Sequence, residues 1–216
     1  MNSDFSIGRL FILLLPLLIQ LSPSPAEAGE WLTSVNAALG FKVLDQDQWG
    51  PRPTTGEVAI MGSIEKNSWP LALSLDMFYS KTETLIFSGE TSFQASDGFG
   101  GFTIAPYTHI DLNIRTWEID LGVKKIWRDF ETVRPYLNGG LSLIGAEGEM
   151  TQTENIYSNN GTAFGLWAGL GANLVFNESL NIAFEVRRSE AKADMTIGPP
   201  VKIGGMHYHF IIGGNW

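Results

Sequence analysis

Eight segments of this chain alternate apolar and polar side chains, and the links between them alternate short and long. Successive side chains on a β-strand point to opposite faces, so each segment predicts a strand with one apolar and one polar row. Strand one, about Thr33 to Leu44, sets Val35, Ala37, Leu39, Phe41 and Val43 against Asn36, Ala38, Gly40 and Lys42. The other seven follow the same scheme; strand six, for example, sets Phe164, Leu166, Ala168 and Leu170 against Gly165, Trp167, Gly169 and Gly171. No charge falls on any of the eight apolar rows. The polar rows carry Lys42, Glu57, Asp76, Glu118, Asp120, Lys124, Arg134, Glu185 and Arg187, together with His207 and His209. A bilayer enforces such a separation, because Arg or Lys facing lipid near the midplane costs roughly 2–4 kcal/mol. A soluble sandwich with its apolar rows turned inward also alternates, so the rows alone leave both architectures open.

The links and the aromatic residues separate them. The links at 65–69, 128–132 and 177–179 are short, and those at 45–55, 80–110, 146–161 and 189–200 are longer and polar. Membrane barrels of the bacterial outer membrane have short periplasmic turns and longer outer loops. With the first strand starting in the periplasm, every short link falls on that side. Trp31, Trp69, Trp127, Phe176 and Trp216 fall at the same side, which makes half of an aromatic girdle at the membrane interface. Tyr79 and Trp117 fall where the outer half belongs. Pro70 and Pro135 sit at the first positions of strands, where a missing N–H is tolerated. The expected fold is therefore all-β: an eight-stranded antiparallel up-and-down transmembrane β-barrel.

The first 28 residues read as a cleaved secretory signal peptide. Arg9 supplies the charge, Leu10 to Leu21 the apolar run, and Ala26-Glu27-Ala28 the small-residue cleavage site. Residues 29–216 form the single barrel domain, with the bacterial outer membrane as its address. The formal net charge of −9 argues against nucleic acid as a partner. The chain has no cysteine, which excludes disulfides, thiolate metal sites and thiol catalysis.

Arg134-Pro-Tyr-Leu-Asn-Gly-Gly-Leu, Gly165-Leu-Trp-Ala-Gly-Leu-Gly-Ala-Asn-Leu and the last strand with its terminal aromatic resemble the small eight-stranded outer-membrane barrels. These are the opacity-type adhesins, the OmpA transmembrane domain, OmpX and OmpW. The resemblance runs over roughly residues 29–216. It implies a Gram-negative outer membrane, lipid and lipopolysaccharide as surroundings, and insertion by the barrel-assembly machinery, which reads the terminal aromatic. That residue is usually Phe and here is Trp216.

Three chemistries are worth weighing. The charged polar rows predict an ion-pair network filling the lumen, since side chains just fill a barrel of eight strands; a wide aqueous pore is not expected. His207 and His209 share a face, with Glu185 on the neighbouring strand as the third donor considered. A supported zinc site needs three or four ligands with their own partners, so neither metal nor other cofactor is expected. Some barrels similar in fold modify lipid A with a His and a Ser. Here His109, Ser80 and Asp111 are the nearest candidates, and no catalytic set is expected from them. The longest link holds Phe87, Phe93, Phe99, Phe102 and Tyr107 among Gly, Ser and Thr, and these are candidate interaction residues. The expected role is structural or surface-interacting through the outer loops. The alternative is an OmpW-like carrier of small hydrophobic molecules, and a lipid A-modifying enzyme ranks third.

Overall fold

The computed structural model describes residues 31–45, 49, 54–82, 85–87, 110–130, 132–152, 155–175, 180–196 and 199–215. The expected signal peptide lies outside them. Eight long strands dominate: β1 Trp31–Val43, β2 Thr54–Lys66, β3 Ala72–Lys81, β4 Ile110–Ile126, β5 Val133–Gln152, β6 Asn155–Val175, β7 Leu180–Ala193 and β8 Gly205–Asn215. Each pairs antiparallel with its neighbours in sequence. β8 returns to β1 from Ser34↔Asn215 to Val43↔Met206, which closes the barrel. Closure is a requirement in hydrocarbon, where an unpaired backbone group costs several kcal/mol. No described helix is long and apolar enough to cross a membrane; the crossing is made by strands.

The two faces of this sheet are inverted relative to a soluble protein. Phe164 is 82% exposed, Leu166 65% and Leu121 60%, all on the outer surface. Lys42, Glu118, Asp120 and Arg187 are fully buried inside. An apolar belt facing outward around a charged interior is stable only when the belt meets lipid.

The strand ends at Lys66 and Ala72, Ile126 and Val133, and Val175 and Leu180 lie at one end with Trp31 and Asn215, and those at Val43 and Thr54, Lys81 and Ile110, and Ala193 and Gly205 lie at the other. At the short-link end Trp31 packs edge-on against Trp69 at 5.4 Å, and Trp69 and Trp127 are well exposed. Phe176 and Trp216 lie outside the described residues.

Most of the link expected at 146–161 is instead strand, at residues 146–152 and 155–161. β5 and β6 pair without a break from Val133↔Leu174 to Gln152↔Asn155, and β4 follows them to Ile110↔Gln152. β4, β5 and β6 contain 17, 20 and 21 residues, against the roughly 9–11 that span a bilayer. The surplus forms a ribbon projecting beyond the membrane at the long-link end. A short strand, Leu85–Phe87, adds to its β4 edge, and Val201–Lys202 pairs with the top of β7. Polar residues such as Glu147, Glu149 and Asn160 carry the ladder out of the lipid, which is why alternation alone did not extend the strands this far.

The belt yields the first prediction. Leu121→Arg lowers stability by about 2–4 kcal/mol in lipid vesicles, read from urea unfolding. An unchanged midpoint would place Leu121 away from hydrocarbon.

Candidate functional site

The lumen is built in three storeys. The lowest, at the short-link end, is a cavity of about 530 Å³ lined in part by Asn36, Glu65, Lys124, Arg128, Arg134 and Asn181. Arg128 donates to both oxygens of Glu65 at 2.7 Å, and these bonds hold its guanidinium above the ordinary value. Lys124 caps the cavity from above, with Nζ 4.4 Å from the ring centre of Tyr136.

The middle storey centres on Arg187. Its guanidinium donates to Asp76 and Asp120 at 2.6 Å each and to Glu185 at 2.7 Å. It lies between two aromatic faces, 3.9 Å from Trp167 and 4.6 Å from Phe78. Planar cations stack well on such faces. The Trp167 slab needs space that only glycine leaves. Gly122, Gly140 and Trp167 are successive cross-strand partners, and a Cβ on Gly122 would come within 2.6 Å of the indole. Glu185 also accepts from Tyr136 Oη and Asn138 Nδ2, both at 2.9 Å. Ser142 donates to Asp120 and lies 3.0 Å from Glu118.

The upper part of the same storey holds a second cluster. Glu57 Oε2 accepts from His207 Nδ1 and from His209 Nε2, both at 2.8 Å. Glu57 and His209 belong to strands that β1 separates. They meet because the β1 residue between them, partner to both, is Gly40; a Cβ there would sit 2.8 Å from the His209 ring. Phe78 stacks on His209 at 5.2 Å. Lys42 donates to Glu118 at 3.0 Å, and Ser189 Oγ lies 2.9 Å from His207 Nε2.

The third storey is apolar. Leu44, Trp49, Ile114, Ile144, Ala146, Ala193 and Ile203 pack into a cap at the long-link end, and Trp49 Nε1 donates to the Lys202 carbonyl at 2.7 Å.

Several residues stand elsewhere than the sequence pattern suggested. Glu185, considered as the third donor beside the histidines, is committed to Arg187, Tyr136 and Asn138; Glu57 takes that place. Register explains the difference. Glu185 is the direct cross-strand partner of His209, but Arg187 on its own strand captures the carboxylate. Ser80, grouped with His109 and Asp111, is buried and bonded to Thr116 at 2.6 Å. His109 and the Asp111 side chain lie outside the described residues. So do Phe93, Phe99, Phe102 and Tyr107, and the side chain of Phe87.

Ser189, Phe78, Trp167 and Tyr136 were not singled out from sequence as members of these clusters. Ser189, His207 and Glu57 stand in the order of a nucleophile–base–acid relay. All three are at most 3% exposed.

The network predicts that Arg187→Met, which leaves three buried carboxylates without their cation, destabilises the barrel by about 3–5 kcal/mol. Denaturant unfolding in detergent reads this directly; a loss below about 1 kcal/mol would mean that the arginine is dispensable.

No protein-family model and no curated protein sequence matches the chain. Solved structures do. A major outer membrane protein from Thermus thermophilus aligns at 15% identity over 86% of this chain and 98% of its own, with a TM-score of 0.53. Ail, the attachment invasion locus protein of Yersinia pestis, aligns at 13% identity over 87% of this chain and 98% of its own, with a TM-score of 0.50. Together with the closed, inverted eight-strand sheet, these likenesses establish the fold: that of the small eight-stranded outer-membrane β-barrels.

Proposed function

We propose that the protein is an outer-membrane barrel of a Gram-negative bacterium. In this reading the barrel is a rigid anchor, and its outer loops and projecting ribbon make the functional contacts with a surface ligand or with lipopolysaccharide. The observation that carries the reading is the filling of the lumen. Above the polar cavity at the short-link end, the Arg187 network, the Glu57–histidine cluster and the Trp49–Ile203 cap succeed one another across the tube. Such an interior suits a support more than a conduit.

At the opposite end, strands β4–β6 rise well past the length that lipid requires, next to the longest connection, 82–109. Loops held on a rigid scaffold are where binding residues concentrate. Arg115 and Arg188 are exposed near this rim, where cationic groups suit the phosphates of lipopolysaccharide. A carrier of small hydrophobic molecules would need an apolar chamber under the long connection; among the described residues Trp49, Ile114, Ile144 and Ile203 occupy that volume themselves. Ail is named for attachment and invasion, a role of the same class.

Two measurements test the proposal. The purified protein in planar bilayers shows no steady conductance. Replacing residues 88–107 by a Gly-Ser linker abolishes binding of whole cells to the surface or lipopolysaccharide ligand and leaves the barrel folded. Steady conductance, or ligand binding that survives the replacement, would overturn the reading.

A further inference from the structure

We infer that Glu57, His207 and His209 form a binding site for one divalent transition-metal ion of the zinc class, set inside the barrel. The three side chains come from β2 and β8 and present one carboxylate oxygen and two imidazole nitrogens within 4.8 Å of one another. All three are buried. Two imidazoles with one carboxylate form a donor set typical of zinc and its neighbours, not of magnesium or calcium, which take oxygen ligands.

Three further observations point to a cation. The first is orphaned acceptor capacity. Both rings crowd onto Glu57 Oε2, and the other oxygen, Oε1, is buried with no hydrogen-bond partner. A buried carboxylate oxygen left bare is costly, and a metal ion shared by the carboxylate and the two rings relieves it.

The second is charge. Apart from the Glu65–Arg128 pair, the described residues of the lumen include five buried carboxylates (Glu57, Asp76, Glu118, Asp120 and Glu185) against three buried permanent cations, Lys42, Lys124 and Arg187, and the partly exposed Arg134 of the lower cavity. Carboxylates outnumber permanent cations there, and a divalent ion at Glu57 offsets the excess. Protonation of both rings offsets it too, but places two cations side by side with their centres 5.9 Å apart.

The third is the support around the ring nitrogens. With Nδ1 of His207 on the metal, its Nε2–H points at Ser189 Oγ, 2.9 Å away, and Glu118 Oε2, 3.5 Å away. A metal-bound histidine whose far N–H meets a carboxylate or hydroxyl is the usual arrangement. For His209 the support is packing alone: Phe78 stacks on the ring, and its far nitrogen, Nδ1, is buried with no hydrogen-bond partner. Each ring nitrogen now lies at hydrogen-bond distance from Glu57 Oε2, so binding replaces the bridging protons by the ion and opens each N···O gap by about half an ångström. A neutral ring carries its proton on the nitrogen that faces away from the ion, and a doubly protonated ring releases one proton to solvent on binding.

Burial means that the ion enters as the barrel folds and leaves slowly afterwards. The test is therefore refolding of the full chain into detergent with Co²⁺ or Zn²⁺, followed by a chelator wash. Metal per protein is measured for both ions, and visible absorption for Co²⁺. The expected result is about one ion per chain that resists the wash, with the intense visible bands of low-coordinate cobalt. His207→Gln, His209→Gln and Glu57→Gln each reduce retention to about a tenth or less. His109→Gln, which changes the only other histidine of the chain, keeps the full complement.

Wild-type protein that retains less than about a tenth of an equivalent overturns the proposal without recourse to any variant. So does retention that is equal in the three site variants and the wild type. If one variant fails to fold, the wild-type stoichiometry and a spectrum showing imidazole-nitrogen ligation still decide the matter.

Discussion

The absence of water in the bilayer core is the constraint from which the rest of this structure follows. Backbone groups there must all be paired, so the sheet has to close on itself. Closing only eight strands leaves a tube so narrow that side chains must fill it. Those side chains cannot be purely apolar without forfeiting the contrast between faces that defines the register. They are therefore charged, and charges out of water need partners at close range. Arg187, bonded to Asp76, Asp120 and Glu185 and clamped by Trp167 and Phe78, is where that requirement is met most completely.

Glycine sets the shape of this interior. Trp167 can reach over the neighbouring strand because Gly122 offers no side chain beneath the indole, and Glu57 can reach His209 because Gly40 stands between them. On the outside, Trp117 lies against Gly145 in the same way. The bulky residues and the glycines are thus complementary halves of one packing scheme. It fills the lumen from the short-link cavity to the apolar cap and leaves recognition to the far end, where the strands outrun the membrane.

The fold was legible in the sequence because lipid imposes a period of two on every spanning strand. Leu137, Leu141 and Leu166 against Asn138, Ser142 and Trp167 is a signal that survives without any knowledge of pairing. The height of the β4–β6 ribbon was not legible, since beyond the lipid neither face has to be apolar and the alternation ends at about Leu143 and Phe164. The clusters in the lumen were legible only as a pool of inward residues. Which carboxylate meets which cation depends on register across three strands and on rotamers. No local pattern reveals that Glu57 reaches past Gly40 to the histidines, or that Arg187 draws Glu185 away from them. The aromatic residues of the 82–109 connection remain readable only as composition.

A nitroxide scan along β5 in lipid vesicles tests the central claim, that the apolar rows face hydrocarbon and the polar rows fill a closed lumen. Labels at Leu137, Leu141 and Leu143 should relax strongly with dissolved oxygen and weakly with a water-soluble nickel chelate, while labels at Asn138 and Ser142 should be shielded from both. Immobilised, oxygen-shielded labels at the leucines, combined with chelate access at Asn138 and Ser142, would mean that the leucines face a second sheet and that the barrel account is wrong.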